Sequence, residues 1–198
     1  MKEYEINFIA SAVDSWFNCS IYRNSCSGSI DITKINAIWD QFEDDYRRYF
    51  HDEKYLDNII RTPALQGILC YRIARNLFLA DFEKDAEIYS NLGRFLSGFE
   101  IYFTSKIGHG LKVNHGLGTV IGARCLIGNN CTIHQNVTLG DRDSQRPTLC
   151  DSVIIFAGAK ILGGITIGNN AIVGANAVVM IDVPPNTTAV GVPARIIK

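Results

Sequence analysis

No stretch of this chain is apolar for long enough to suggest a membrane span. The best candidate, Pro63 to Ala80, is interrupted by Arg72 and Arg75. The start, MKEYEINFIA, lacks the basic and apolar regions of a secretion signal. The six cysteines form no CxxC pair and no zinc spacing, so no metal site is expected. No basic cluster appears, which argues against a nucleic-acid surface. Low-complexity tracts are missing as well. The expectation is a cytoplasmic protein with reduced thiols.

What is present is 198 residues, enough for one or two small domains with a real core. The net charge of -1 hides an asymmetry. Residues 1–100 carry 16 acidic and 11 basic groups, and residues 101–198 carry 4 and 8. A mildly basic second half would suit a small anionic ligand such as a phosphorylated cofactor.

The first half has helical periodicity. Ile6, Ile9, Val13, Trp16 and Phe17 share one face, and the polar run Asn18 to Ser29 then reads as a loop. A second helix is expected with Asp31 or Thr33 as N-cap, and a stripe from Ile35 through Trp39 and Phe42 to Tyr49 and Phe50. Thr62-Pro63 opens a third, since proline suits a first turn. A fourth runs from about Asp81 to Phe99. Residues 1–99 thus read as an α-helical domain that by itself names no chemistry.

From Ile101 the period changes to six. Aliphatic residues recur at Ile101, Ile107 and Val113, at Ile121, Ile127, Ile133 and Leu139, and at Ile155, Ile161, Ile167, Val173 and Val179. Two positions before each aliphatic the residue is small or apolar. One position after, it is often glycine, taken here as a corner needing unusual backbone angles. Positions i−2 and i share a strand face, because side chains alternate. Three six-residue units close one coil, and about four stacked coils fill residues 100–198 as a parallel solenoid. The fold class is therefore α+β. Cys125 and Cys131 fall at inward positions and read as core. His134, at an i+1 corner, and His109, one position further on, read as surface histidines.

The beat fails twice. Two extra residues enter around Asn114-His115-Gly116-Leu117-Gly118, and four around Asp141 to Asp151. A bulge re-aims side chains and is common beside active sites. Bulge and loop follow different strand faces. A trimer could bring one copy's His115 near a neighbour's Arg142 and Arg146.

At these residues the chain resembles the hexapeptide-repeat acyltransferases, and within them serine O-acetyltransferase. The resemblance rests on ALQGILCYRIA, KIGHGLKVNHGLGTVIG, CTIHQNVTLGD, GAKILGGITIGNNAIVGANAVV and VPPNTTAVGVPARII, and covers roughly residues 63–198. It implies a left-handed parallel β-helix, a homotrimer or dimer of trimers, and acetyl transfer from acetyl-CoA to the hydroxyl of L-serine. His115 matches the catalytic base, and Glu100 stands where an aspartate orients it. A backbone N–H near Gly140-Asp141 would face the thioester oxyanion. The family's substrate aspartate aligns with Asp44 or Asp45. Ala157, Gly158 and Ala175 would line the pantetheine arm, with Lys160 and Arg195 at its phosphates.

Three departures from the family pattern gather on the acceptor side. Asn114 replaces an aspartate, the loop is about four residues shorter, and Gln145-Arg146-Pro147 replaces Arg-His-Pro. Arg146 is expected to hold a carboxylate bidentately. A sugar hydroxyl is therefore a second possible acceptor, and a non-catalytic solenoid scaffold a third reading. The tail by which longer members dock into cysteine synthase has no counterpart, which argues against that complex.

Overall fold

The computed structural model describes residues 1–18 and 31–197. Five helices come first: α1 (Glu3–Asn18), α2 (Asn36–Arg47), α3 (Tyr55–Arg61), α4 (Pro63–Leu79) and α5 (Glu83–Ser97). Beyond Asn18, the stretch expected as a loop lies outside the described residues. Asp31 caps a 3₁₀ turn at Ile32–Lys34, accepting from the Thr33 N–H at 3.2 Å, rather than α2 itself. Helix α2 stops at Arg47, so Tyr49 and Phe50 lie past its end and are free to reach the strands. The short α3 has no counterpart in the sequence reading, since seven residues give too little periodicity. Helix α5 ends at Gly98 in the left-handed conformation, φ 72°.

The second half is a parallel β-solenoid with three faces. Face A stacks β1 (Glu100–Ile101), β4 (Val120–Ile121), β7 (Thr138–Gly140), β10 (Lys160–Leu162) and β13 (Val178–Val179). Face B stacks β2 (Lys106–Ile107), β5 (Leu126–Ile127), β8 (Thr148–Leu149) and β11 (Thr166–Ile167). Face C stacks β3 (Lys112–Val113), β6 (Thr132–Ile133), β9 (Ile154–Ile155), β12 (Ile172–Val173) and β14 (Thr188–Val190). A final antiparallel strand, β15 (Arg195–Ile197), closes the top of face C. Every aliphatic of the six-residue beat is buried, and so are Thr119, Cys125, Cys131, Val137, Val153, Ala159, Ala171 and Ala177 two positions earlier; Ile165 is half-buried. Burial pushes the Cys125 and Cys131 thiols up to about 11, as inert core groups. The second interruption is shorter than its polar run suggests. Thr148-Leu149 already form β8, with Leu149 fully inside, and the loop is confined to 141–147.

The glycines after each aliphatic serve a different purpose from the one expected. Positive φ falls two positions later, on Asn130, Asn136, Asn170 and Asn176 and on Gly110 and Gly158. The i+1 glycines are set by close approach between coils. A Cβ on Gly108 would lie 2.9 Å from the Gly128 carbonyl carbon, and one on Gly128 2.7 Å from that of Cys150.

The helices cap the lowest coil. Its strands have no neighbour below, so their backbone groups need side-chain partners. Tyr71 Oη donates to Ser105 O at 3.0 Å and accepts from Ile107 N at 3.2 Å. Arg72 donates to Ile107 O at 2.8 Å and Gly108 O at 2.6 Å. Tyr49 Oη bonds both backbone groups of Val113. Asp45 is fully buried, paired with Arg72 at 2.8 and 2.9 Å, and accepts from Leu111 N at 2.7 Å. The substrate role expected of Asp45 does not hold, because both its oxygens are engaged in this cap.

Candidate active site

The two interruptions sit on different corners, as their phase required. The bulge joins face C to face A, and the loop joins face A to face B. The bulge is a tight structure. Gly116 N donates to Asn114 O at 2.7 Å, closing a three-residue turn on His115 at φ 61°. Gly118 N donates to Gly98 O at 2.9 Å, seating the bulge on the end of α5. A left-handed conformation at a histidine is uncommon and persists only where surroundings impose it. Here it lifts an exposed ring clear of the coil. Among the described residues the His115 imidazole has no hydrogen-bond partner.

Gly116 makes this possible. Its φ is 72°, and a Cβ there would lie 2.5 Å from Phe99 Cδ1 and 3.1 Å from Val113 Cγ1. Gly116→Ala is expected to cost about 1–3 kcal/mol, through overpacking and backbone strain. Urea denaturation measures this directly, and an unchanged midpoint would show that the bulge can relax.

Directly above Asn114 on the same corner stand two residues that the sequence reading left out of the site. Val113 registers with Ile133, and Ile133 with Ile155, so Asn114, His134 and Phe156 form a column. Asn114 Nδ2 lies 3.4 Å from His134 Nε2. The His134 and Phe156 rings stack at 5.0 Å and 27°. Burial, and then the neighbouring His115, hold His134 below the usual histidine range. Ala157, Gly158 and Ala175 continue this corner upward as small residues. That is a surface a pantetheine arm could follow, and a side chain at Gly158 would run into Asn176.

The other expected residues are dispersed. Glu100 is on face A beside the bulge, but its carboxylate pairs with Arg94 at 3.2 Å rather than with His115. Arg94, one α-helical turn before Gly98, points back at β1 and takes the group that was to orient the imidazole. Lys160 donates to Asn136 O at 2.5 Å and Thr138 Oγ1 at 3.2 Å, so it lies along face A and is not free for a phosphate. Arg195 is exposed on β15 and has no described partner. At the loop corner, Gly140 remains in the ladder opposite Leu162. Asp141 is ion-paired to Arg146. Arg146 also donates from Nε to Ala123 O at 3.0 Å and from Nη1 to Gln145 O at 3.2 Å. A bidentate grip on a ligand carboxylate is therefore not available in this arrangement. The bridge between Arg142 and Gln145 folds the loop on itself and brings Asp141 back to Arg146. Asp44 sits at the remaining corner, with Oδ2 2.6 Å from His109 Nδ1, away from the bulge. A cavity of about 550 Å³ between α4 and face B, lined by Arg75, Lys106 and His109 among others, contains none of the expected site residues.

Residues 118–142 match the family described as "Hexapeptide repeat of succinyl-transferase", and residues 146–180 "Bacterial transferase hexapeptide (six repeats)". Over 143 residues the chain is 44% identical to the serine acetyltransferase of Helicobacter pylori (strain J99 / ATCC 700824), a match covering 70% of this chain and 84% of that protein. The chain belongs to the serine acetyltransferase family. It is an acyltransferase by that membership. The serine acetyltransferase of Bacillus subtilis (strain 168) is 40% identical over 147 residues, covering 72% of this chain and 68% of that one. Among solved structures, soybean serine acetyltransferase complexed with serine is similar at TM-score 0.76 and 33% identity, over 82% of this chain and 70% of that chain. A serine acetyltransferase in complex with CoA aligns at TM-score 0.77 and 34% identity, over 82% and 71%. Within the serine acetyltransferase family frame, the bulge histidine and the small-residue corner above it are the two features that share one corner of this chain. No helix among the described residues is long and apolar enough to cross a membrane.

Proposed function

We propose that this protein transfers acetyl from acetyl-CoA to the hydroxyl of L-serine, with His115 as the general base. The observation that carries this is the bulge: an exposed histidine, held at φ 61°, whose ring has no hydrogen-bond partner among the described residues. A hydroxyl is a poor nucleophile at neutral pH, and a neutral imidazole can take its proton as attack begins. The proton then passes from His115 to the sulfur as the C–S bond breaks, so CoA leaves as the thiol and the base is regenerated. The small residues Ala157, Gly158 and Ala175 support a thioester arm reaching this corner from above, with exposed Arg195 as the available cation for its phosphates.

The loop of the same chain is on another corner, so a complete site calls for a second copy. We infer a homotrimer, in which the bulge corner of one copy faces the loop corner of the next. Leu117 at the bulge tip is 64% exposed and offers an apolar contact for that neighbour. The reading suits a cytoplasmic protein, since its co-substrate acetyl-CoA is an intracellular thioester.

A specific observation also favours a sugar hydroxyl as acceptor. Asn114 is neutral, and the Phe156 ring, 40% exposed and stacked on His134, presents a flat apolar surface higher on the same corner. Purified protein given acetyl-CoA is expected to release free thiol on addition of L-serine. Release with hexoses or alditols but not serine would replace serine by a sugar. No release with either would remove both acceptors from this reading.

A further inference from the structure

We propose that His134 is a positioning residue on the acceptor side, fixing the Asn114 amide so that its carbonyl oxygen is the group offered beside His115. The proposal rests on the reading of His115 as base given above, but its geometry stands on its own contacts.

His134 is held from three directions. Its backbone N–H donates to Ile155 O at 3.0 Å, and its carbonyl accepts from Thr119 Oγ1 at 2.8 Å. Its ring is stacked under Phe156 at 5.0 Å. The ring therefore presents Nε2 downward to Asn114 Nδ2 at 3.4 Å. An amide nitrogen only donates, so in this amide orientation Nε2 carries the lone pair and the proton is on Nδ1. With Nδ2 directed at His134, Asn114 Oδ1 is left without a partner among the described residues. That oxygen is a neutral acceptor, suited to an N–H or O–H of the acceptor substrate. Phe156 offers no acceptor to the amide, and the nearby Thr119 hydroxyl is already engaged, donating to His134 O at 2.8 Å and accepting from Val137 N at 3.3 Å.

The arrangement exists only while His134 is neutral. Protonation would turn Nε2 into a donor facing the Asn114 donor and rotate the amide. Asn114, Thr119 and Phe156, on the coils below and above, carry no charge, and His115 is the titratable group acting on His134. Burial and His115 both disfavour the charged ring, so the contact is present at neutral pH and is lost as pH falls through the folded-state value. KM for the acceptor should then rise as pH falls through that value, while KM for acetyl-CoA should not follow it.

Two variants and one spectrum test this. His134→Phe keeps a ring under Phe156 but has no acceptor, and is expected to raise KM for the acceptor about 10-fold, the loss of one hydrogen bond. KM for acetyl-CoA should stay within about twofold of wild type. His134→Gln places an amide oxygen near the Nε2 position and does not titrate. It is expected to restore most of the acceptor KM and to remove its rise at low pH. An unchanged acceptor KM in His134→Phe, or an acceptor KM in wild type that does not rise at low pH, overturns the proposal. Nitrogen-15 NMR of the histidine rings decides the geometry independently of turnover. At neutral pH His134 should be the Nδ1–H tautomer, and Asn114→Ala should shift its Nε2 resonance. A His134 ring protonated on Nε2 overturns the proposal even if the enzyme is active. The expected tautomer in a protein that releases no thiol would instead count against the His115 reading alone.

Discussion

His115→Ala is expected to lower kcat/KM by at least ~10²-fold, and up to ~10⁴-fold, the range general-base catalysis supplies. On the barrier this is about 3–5 kcal/mol. The ring is exposed, so the variant should keep its melting temperature. Rate loss without stability loss separates a catalytic group from a structural one. KM for acetyl-CoA should change little, since the small-residue corner remains. Near-full activity in this variant would remove His115 from the chemistry. Glu100 enters the expectation in a specific way. Because its carboxylate is paired with Arg94 at 3.2 Å, His115 has no carboxylate partner among the described residues. The effect therefore rests on the imidazole itself.

The second large effect is on folding. Arg72→Ala is expected to destabilise the protein by about 3–5 kcal/mol, because it leaves a buried carboxylate unpaired. Asp45 is fully buried and would lose two hydrogen bonds at once, while Ile107 O and Gly108 O would lose their donor. Chemical denaturation should show a shifted midpoint. Whatever fraction remains folded should retain KM for the acceptor, which a substrate-binding role for Asp45 would not allow. A variant with wild-type stability would mean that the lowest coil does not depend on the helices for its hydrogen bonds.

The solenoid was legible because its rule is arithmetic. A period of six with burial at i−2 and i identified nearly every inward side chain from Ile101 to Val179. The bulge was legible for the same reason, as a departure from a count. What escaped was set by contact across coils. The purpose of the i+1 glycines depends on how close Gly128 comes to Gly108, which no local propensity reports. Arg146 looked free because nothing in the sequence says that the loop would fold Asp141 back onto it. The Asn114–His134–Phe156 column was hidden by the interruptions themselves. An undistorted coil is eighteen residues, but Val113 faces Ile133 twenty residues on, and Ile133 faces Ile155 twenty-two residues on. Adding the two- and four-residue insertions to the repeat recovers the column and would have brought His134 beside His115. Asp45 was misread because a buried acid in a helix and a substrate-binding acid look alike until their partners are known.

The cap on the lowest coil gives the molecule a direction. The helical half carries Asp45, Tyr49, Tyr71 and Arg72, whose side chains take up the backbone groups of the first turn. Each later turn pairs in parallel with the one before it. The antiparallel pairing of Arg195–Ile197 on Thr188–Val190 covers the upper edge of face C with the chain's own return. The two ends of the stack are thus finished by different means, side chains at one and backbone at the other, and the bulge bearing His115 belongs to the end that side chains anchor.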